Sequence, residues 1–170
     1  LIAKFYTTNI ISEKGQYSSH ILPDGSKVSL NVESHLSYHP FWWSFDRKIN
    51  MEGEAFFEVE KGSKFSVLSN RGTTSVLGTS FNINTRNNNY NVYCKTGKVR
   101  VENNVNIVEL TPNLSAFIGK NKELIVSNKD DKQTVWMNGD YHFTSEKLKF
   151  VFEELERQYN ISILYNKDLS

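Results

Sequence analysis

Gly53-Glu54-Ala55-Phe56-Phe57-Glu58-Val59 carries the alternation on which most of the chain is patterned. Successive side chains of a strand point to opposite faces, so Ala55, Phe57 and Val59 form an inward row and Glu52, Glu54, Glu58 and Glu60 an outward one. Val28, Leu30 and Val32 repeat the alternation upstream. Downstream come short runs at 65–68, 76–83, 91–94, 99–101, 105–110, 116–118 and 124–126, rich in β-branched and aromatic residues. Pro23-Asp24-Gly25, Asn70-Arg71-Gly72, Asn87-Asn88-Asn89 and Asn103-Asn104 punctuate them, because Gly and Asn supply the positive φ of tight turns. This spacing predicts a mainly β fold, either a many-stranded β-sandwich or a flattened β-solenoid-like domain. No exact internal repeat separates the two.

The period changes near Trp136. Tyr141-His142-Phe143 reads as a strand. Leu148, Val151, Phe152, Leu155 and Tyr159 then recur at helical spacing, and Ile161-Ser162-Ile163-Leu164-Tyr165 reads as a second strand. Thr144 or Ser145 is the expected helix start, and Asn160 the left-handed end. Strand, helix, strand is a βαβ unit, whose helix is expected to cover the sheet its strands join. One such unit leaves its sheet unfinished. The organisation expected is an N-terminal segment at 1–20, an all-β domain at 21–132 and an incomplete βαβ module at 133–170. The chain opens at Leu1 rather than Met, so an upstream part of the natural protein is expected.

Composition removes several classes of function. With 20 Lys+Arg against 19 Asp+Glu over 170 residues, the net charge of +1 lacks the footprint of a nucleic-acid binder. A hydrophobic fraction of 38%, with 13% aromatic, supports a packed interior. One cysteine, Cys94, allows no intramolecular disulfide and no cysteine-based zinc site. No stretch approaches the roughly 18 apolar residues of a membrane span.

Several motifs, in order, resemble the periplasmic region of the FecR family of anti-sigma regulators. They are Leu22-Pro23-Asp24-Gly25-Ser26 with Val28-Ser29-Leu30-Asn31, the stretch 53–59, Val76-Leu77-Gly78-Thr79-Ser80-Phe81-Asn82, and Thr96-Gly97-Lys98-Val99-Arg100-Val101 followed by Val108-Glu109-Leu110-Thr111-Pro112. Trp136-Met137-Asn138-Gly139, Phe143, Leu148 and Leu155-Glu156-Arg157-Gln158-Tyr159 resemble the start of a secretin/TonB-type short domain. The resemblance implies a single-pass inner-membrane protein whose periplasmic part receives a signal from the signalling domain of a TonB-dependent outer-membrane transporter. It implies an extracytoplasmic-function sigma factor as the other partner, bound only through a cytoplasmic segment absent here. No cofactor is implied. In some members a Gly-Thr bond self-cleaves, which makes Gly78 and Thr79 the candidates: the hydroxyl attacks the preceding carbonyl and water opens the ester. The plainer reading makes Gly78 a bulge or a close backbone approach and Thr79 a strand residue.

The candidate partner-binding residues are Tyr141, Phe143, Ile161, Ile163 and Tyr165, from exposed strand edges or helix faces of the βαβ unit. The competing reading makes these five the unit's own core. An alternative from another class is a carbohydrate-binding or glycan-hydrolysing β-sandwich, using Phe41, Trp42 and the carboxylates from Glu52 to Glu60. Period two sets those acids on a wet face instead. Phe41, Trp42, Trp43 and Phe45 otherwise cap one end of the core. His35 and His39 are four apart, but Pro40 argues against a helix there and no third ligand is spaced to help, so no metal site is expected. Lys95, Lys98 and Arg100 read as a solvated hairpin face.

Overall fold

The computed structural model describes residues 6–128, 133–143 and 146–166. Its strands are β1 (Thr8–Ser12), β2 (Ser18–Ile21), β3 (Lys27–Leu30), β4 (Ser34–Tyr38), β5 (Arg47–Glu52), β6 (Glu54–Glu58) and β7 (Phe65–Leu68). They continue as β8 (Thr73–Val76), β9 (Ser80–Asn84), β10 (Asn91–Cys94), β11 (Val99–Glu102), β12 (Ile107–Leu110), β13 (Leu114–Ile118) and β14 (Leu124–Asn128). One α-helix follows, α1 (Leu148–Tyr159).

The strands form two seven-stranded sheets, β1-β4-β5-β7-β8-β11-β12 and β14-β13-β10-β9-β6-β3-β2. Among the described residues every pairing is antiparallel except β5 with β7. Antiparallel neighbours resolve the ambiguity that period two left open: the chain makes a sandwich rather than a stack of parallel coils. It passes repeatedly from one sheet to the other, at 31–33, 53, 59–64, 77–79, 95–98 and 111–113.

The core lies between the sheets. In β5, Arg47, Ile49 and Met51 are buried and Lys48, Asn50 and Glu52 exposed, as the alternation requires. Phe57 stacks on Phe81 at 5.1 Å and meets Phe65 edge-on at 6.1 Å. These three rings and Val28, Leu30, Ile49 and Ile83 are fully buried. Of the cluster expected to cap the core, Trp43 alone closes its end, against Tyr38 and Phe65, while Phe41, Trp42 and Phe45 are exposed. The first residues, which carried no sequence signal, provide the outermost strands: β1 pairs with β4, and β2 with β3.

The C-terminal part departs from expectation in two ways. Neither 141–143 nor 161–165 is a strand, so the βαβ unit is represented by its helix alone. Their backbone groups are satisfied differently. The Ile161 amide donates to the Glu156 carbonyl at 3.3 Å, and the Ile163 amide to Glu156 Oε1 at 2.7 Å. Second, α1 has the expected stripe but does not bury it. Its one buried residue is Gln158, while Leu148 and Tyr159 are exposed and Val151, Phe152 and Leu155 half-buried. The polar side of the helix faces the sandwich. Asn160 ends α1 in the left-handed conformation, as predicted, with φ 50° and ψ 47°. The position before the helix is Lys147, with no side-chain cap; Thr144 and Ser145 lie outside the described residues.

Candidate functional site

Because α1 docks by its polar side, charged groups meet on the outer face of the second sheet. Glu54 opens β6 and is buried, which corrects the expectation that all four glutamates lie on a wet face; Glu52, Glu58 and Glu60 do. Asn31 Nδ2 donates to Glu54 Oε2 at 2.8 Å, and Asn82 Nδ2 to Oε1 at 2.9 Å. Arg86 Nη1 lies 3.5 Å from Glu54 Oε2 and 2.8 Å from Oε1 of Glu154 on the helix, while its Nη2 donates to the Val32 carbonyl. Gln158 Nε2 donates to Asn31 Oδ1 at 3.1 Å. Trp136 Nε1 donates to Asn82 Oδ1 at 3.1 Å, and the indole stacks on Tyr17. Burial pushes the Glu54 carboxyl above its ordinary value; Arg86, Asn82 and Asn31 pull the other way, and nearby Glu154 adds to the rise.

This cluster is a latch between helix and sandwich. A second set of contacts reinforces it. Arg157 Nε pairs with Glu33 at 2.9 Å, and the Arg157 carbonyl accepts the Gly15 amide at 2.8 Å, tying the last turn of the helix to the β1–β2 connection. The signal was faint in the sequence, since Asn31 and Arg86 sit just past strand ends and Asn82 in the middle of β9, among many other asparagines. Glu154 and Gln158, four apart on one flank of the apolar stripe of α1, were the one legible hint.

Of the proposed partner residues, Tyr141 and Phe143 border a cleft of about 400 Å³ whose walls include Arg86, Trp136, Phe150 and Glu154. The Tyr141 hydroxyl bonds that of Tyr17, and burial with that contact pushes its pKa up. Tyr165 packs on Phe152 at 4.6 Å beside half-buried Ile163 and exposed Ile161, forming a separate apolar cluster on the outward side of the helix.

Gly78 and Thr79 lie at the other end of the sandwich, where β8 crosses to β9. The φ of Gly78 is +148°, and a Cβ there would lie 2.8 Å from the Lys61 Cα, so the close backbone approach is present. Gly97 is equally constrained: a Cβ on it would meet Thr79 Oγ1 at 2.9 Å and the Gly78 carbonyl oxygen at 3.2 Å. Thr79 is buried and its hydroxyl donates to the Lys98 carbonyl at 3.0 Å.

Residues 39–45 are at this same end. Pro40–Trp42 forms a 3-10 turn that presents Phe41 and Trp42 to solvent, with Phe45 beyond it. The carbohydrate reading required these rings to face the acids. They do not face Glu52 and Glu54, because β5, about 17 Å long at strand spacing, separates the aromatic turn from those two; Glu58 and Glu60 are exposed at the aromatic end. His35 bonds Asn9, and His39 contacts Thr7 and the Tyr6 carbonyl. No group of three metal-ligating side chains forms among the described residues. Burial pushes the Cys94 thiol up to about 11, which leaves it unreactive at neutral pH.

Comparison with known proteins brings in the remaining observation. The family model described as FecR protein matches residues 8–100, more than half of the chain. A crystal structure of a candidate anti-sigma factor from Parabacteroides distasonis ATCC 8503, at 2.50 Å resolution, is similar with a TM-score of 0.89 and 32% identity, over 96% of this chain and 79% of that one. A second, from the same organism and at 1.65 Å, gives a TM-score of 0.83 and 33% identity over 90% and 75%. No curated protein matches.

Proposed function

The chain belongs to the FecR family, and from that premise we propose that it is the periplasmic, signal-receiving part of a single-pass anti-sigma regulator. Its role is regulatory rather than catalytic. Its input is the signalling domain of a TonB-dependent outer-membrane transporter, and its output is an extracytoplasmic-function sigma factor engaged by a cytoplasmic segment. The observation that carries the reading is the orientation of α1. A helix that spends its polar side on an internal latch keeps its apolar stripe, with Ile161, Ile163 and Tyr165, available to a partner. Tyr141 and Phe143 flank the latch, so a partner reaching the cleft touches the groups that hold the helix.

The test is capture of the purified signalling domain of the transporter encoded beside this protein. Binding is expected, and Ile161→Asp together with Val151→Asp is expected to weaken it at least tenfold, because a buried charge replaces apolar contact in each case. Unchanged capture by that variant, or no capture by the complete periplasmic region, counts against the proposal.

In this reading the Gly78-Thr79 bond is a structural crossover. The Thr79 hydroxyl is committed to the Lys98 carbonyl rather than aimed at the Gly78 carbonyl carbon it would attack. Freshly denatured chain is expected to show one mass near 19.6 kDa; two fragments meeting at residue 79 would reinstate self-cleavage.

A further inference from the structure

The end of the sandwich opposite the latch carries an unusual surface. Phe41 is 64% exposed, Phe45 78% and Leu77 65%. Trp42 and Tyr6 are also exposed, and they pair with the other rings: Trp42 with Phe45 at 4.9 Å, Tyr6 edge-on to Phe41 at 5.6 Å. These groups come from different stretches of chain but share one end. Thr8 of β1 pairs with Tyr38 of β4, which sets the entry of the chain beside the aromatic turn. Arg47, which follows that turn, bonds the carbonyls of Glu60 and Ser63, and the Leu77 carbonyl accepts the Gly62 amide.

The charges at this end are sorted. Asp24 pairs with Arg47 and Asp46 with Lys48, so both acids are neutralised. Lys61, Lys64 and Lys98 are exposed and make no ion pair among the described residues, and they border a groove of about 740 Å³ beside Leu77 and Gly78. Arg100, Glu102 and Glu109 line the same groove, with Glu102 paired to Arg100, and Glu58 and Glu60 are further exposed carboxylates at this end. Aromatic rings with unpaired lysines beside them match a bilayer interface, where rings lodge at headgroup depth and ammonium groups meet anionic phosphates. A sugar site would gather such rings around one concavity, whereas here the rings pair with each other, Trp42 with Phe45 and Phe41 with Tyr6.

We propose that this end of the sandwich is a lipid-facing surface that adsorbs to a bilayer bearing anionic headgroups, through Phe41, Trp42, Phe45 and Leu77 with Lys61, Lys64 and Lys98. The inference deepens the membrane-anchored reading above and rests on it for biological context; adsorption itself is a property of this chain. It would fix the orientation of the molecule, lipid at one end and latch at the other.

The probe is vesicles of phosphatidylethanolamine with or without phosphatidylglycerol, some carrying brominated acyl chains. Trp43 and Trp136 are buried, so quenching by bromine reports on Trp42. At low salt, quenching and co-sedimentation are expected, about tenfold stronger with phosphatidylglycerol, and the difference should fade as salt screens it. Phe41→Ser with Phe45→Ser is expected to lower partitioning at least fivefold on both compositions. Lys61→Gln, Lys64→Gln and Lys98→Gln together should remove only the preference for phosphatidylglycerol. Absence of Trp42 quenching at millimolar lipid overturns the proposal, as does binding indifferent to both variants. So does loss of transporter-domain capture by the Phe41/Phe45 variant, which would make the turn a protein site. Lipid binding without transporter capture would leave this surface standing and remove the signalling reading.

Discussion

The two ends of the sandwich bury charge in opposite styles. At the latch end, Glu54 and Arg86 are covered by a helix from outside the sheets, and the carboxyl is pushed up by burial. At the crossover end, burial also acts to raise Asp24, but hydrogen bonds from Arg47 and Ser26 outweigh it and hold the carboxyl below its ordinary range. Arg47 receives its partners from turns within the sandwich: Asp24, the Ser63 carbonyl and the Glu60 carbonyl. One end is therefore a joint between two parts, and the other is a self-contained corner. A buried ion pair is costly to desolvate, so the joint holds only while both parts supply its charges.

The sharpest way to break this contrast is Arg86→Met. It strands buried Glu54 without a cation, while Glu154 keeps Arg157, and a loss of about 3–5 kcal/mol is expected in denaturant unfolding. A loss below about 1 kcal/mol would mean that the latch carries little. Gly78→Ala attacks the corner instead, by forcing a Cβ toward the Lys61 backbone at positive φ, and is expected to cost about 1–3 kcal/mol in the same assay. Gln158→Ala removes the hydrogen bonds to Asn31 and Glu154 from the latch, at about 1–2 kcal/mol, and hydrogen exchange should show α1 opening before the sheets do. Phe45→Ser, on the exposed rim, should stay within about 0.5 kcal/mol of the parent.

Acidity distinguishes the ends by sign. With the pKa of Asp24 lowered, the unfolded chain binds its proton first as pH falls. Its contribution is complete above the ordinary 3.8 and is lost as pH falls through the lower folded value. With Glu54 raised, the folded chain takes up its proton first. That contribution is complete below the ordinary 4.5 and is lost as pH rises through the folded value. Melting profiles against pH should therefore lose their acid limb in Asp24→Asn and their decline above 4.5 in Glu54→Gln. An unaltered profile in either variant contradicts the assigned cause.

The sandwich was legible because period two is local: Ala55, Phe57 and Val59 declare their face without reference to anything distant. The helix and its left-handed end at Asn160 were legible for the same reason. What failed depended on a neighbour that the pattern does not name. Glu54 reads as solvated until a helix 100 residues later in the chain covers it with Glu154. The strands expected at 141–143 and 161–165 need a sheet to pair with, and their local propensity supplies none. The aromatic turn was seen as a cluster, but its division into buried Trp43 and outward Phe41, Trp42 and Phe45 follows from a 3-10 turn that composition did not indicate.

Strands β6 and β9 run side by side from one end to the other, Glu54 beside Asn84 and Glu58 beside Ser80. Shifting either strand by a single residue would turn Phe57 or Phe81 toward the outside and drive Glu54 or Asn82 into the hydrocarbon interior. The pair is thus barred from sliding and behaves as a stiff strut. Motion at the helix end must reach the far corner as tilt or as separation of whole connections, never as slippage along the strand axis.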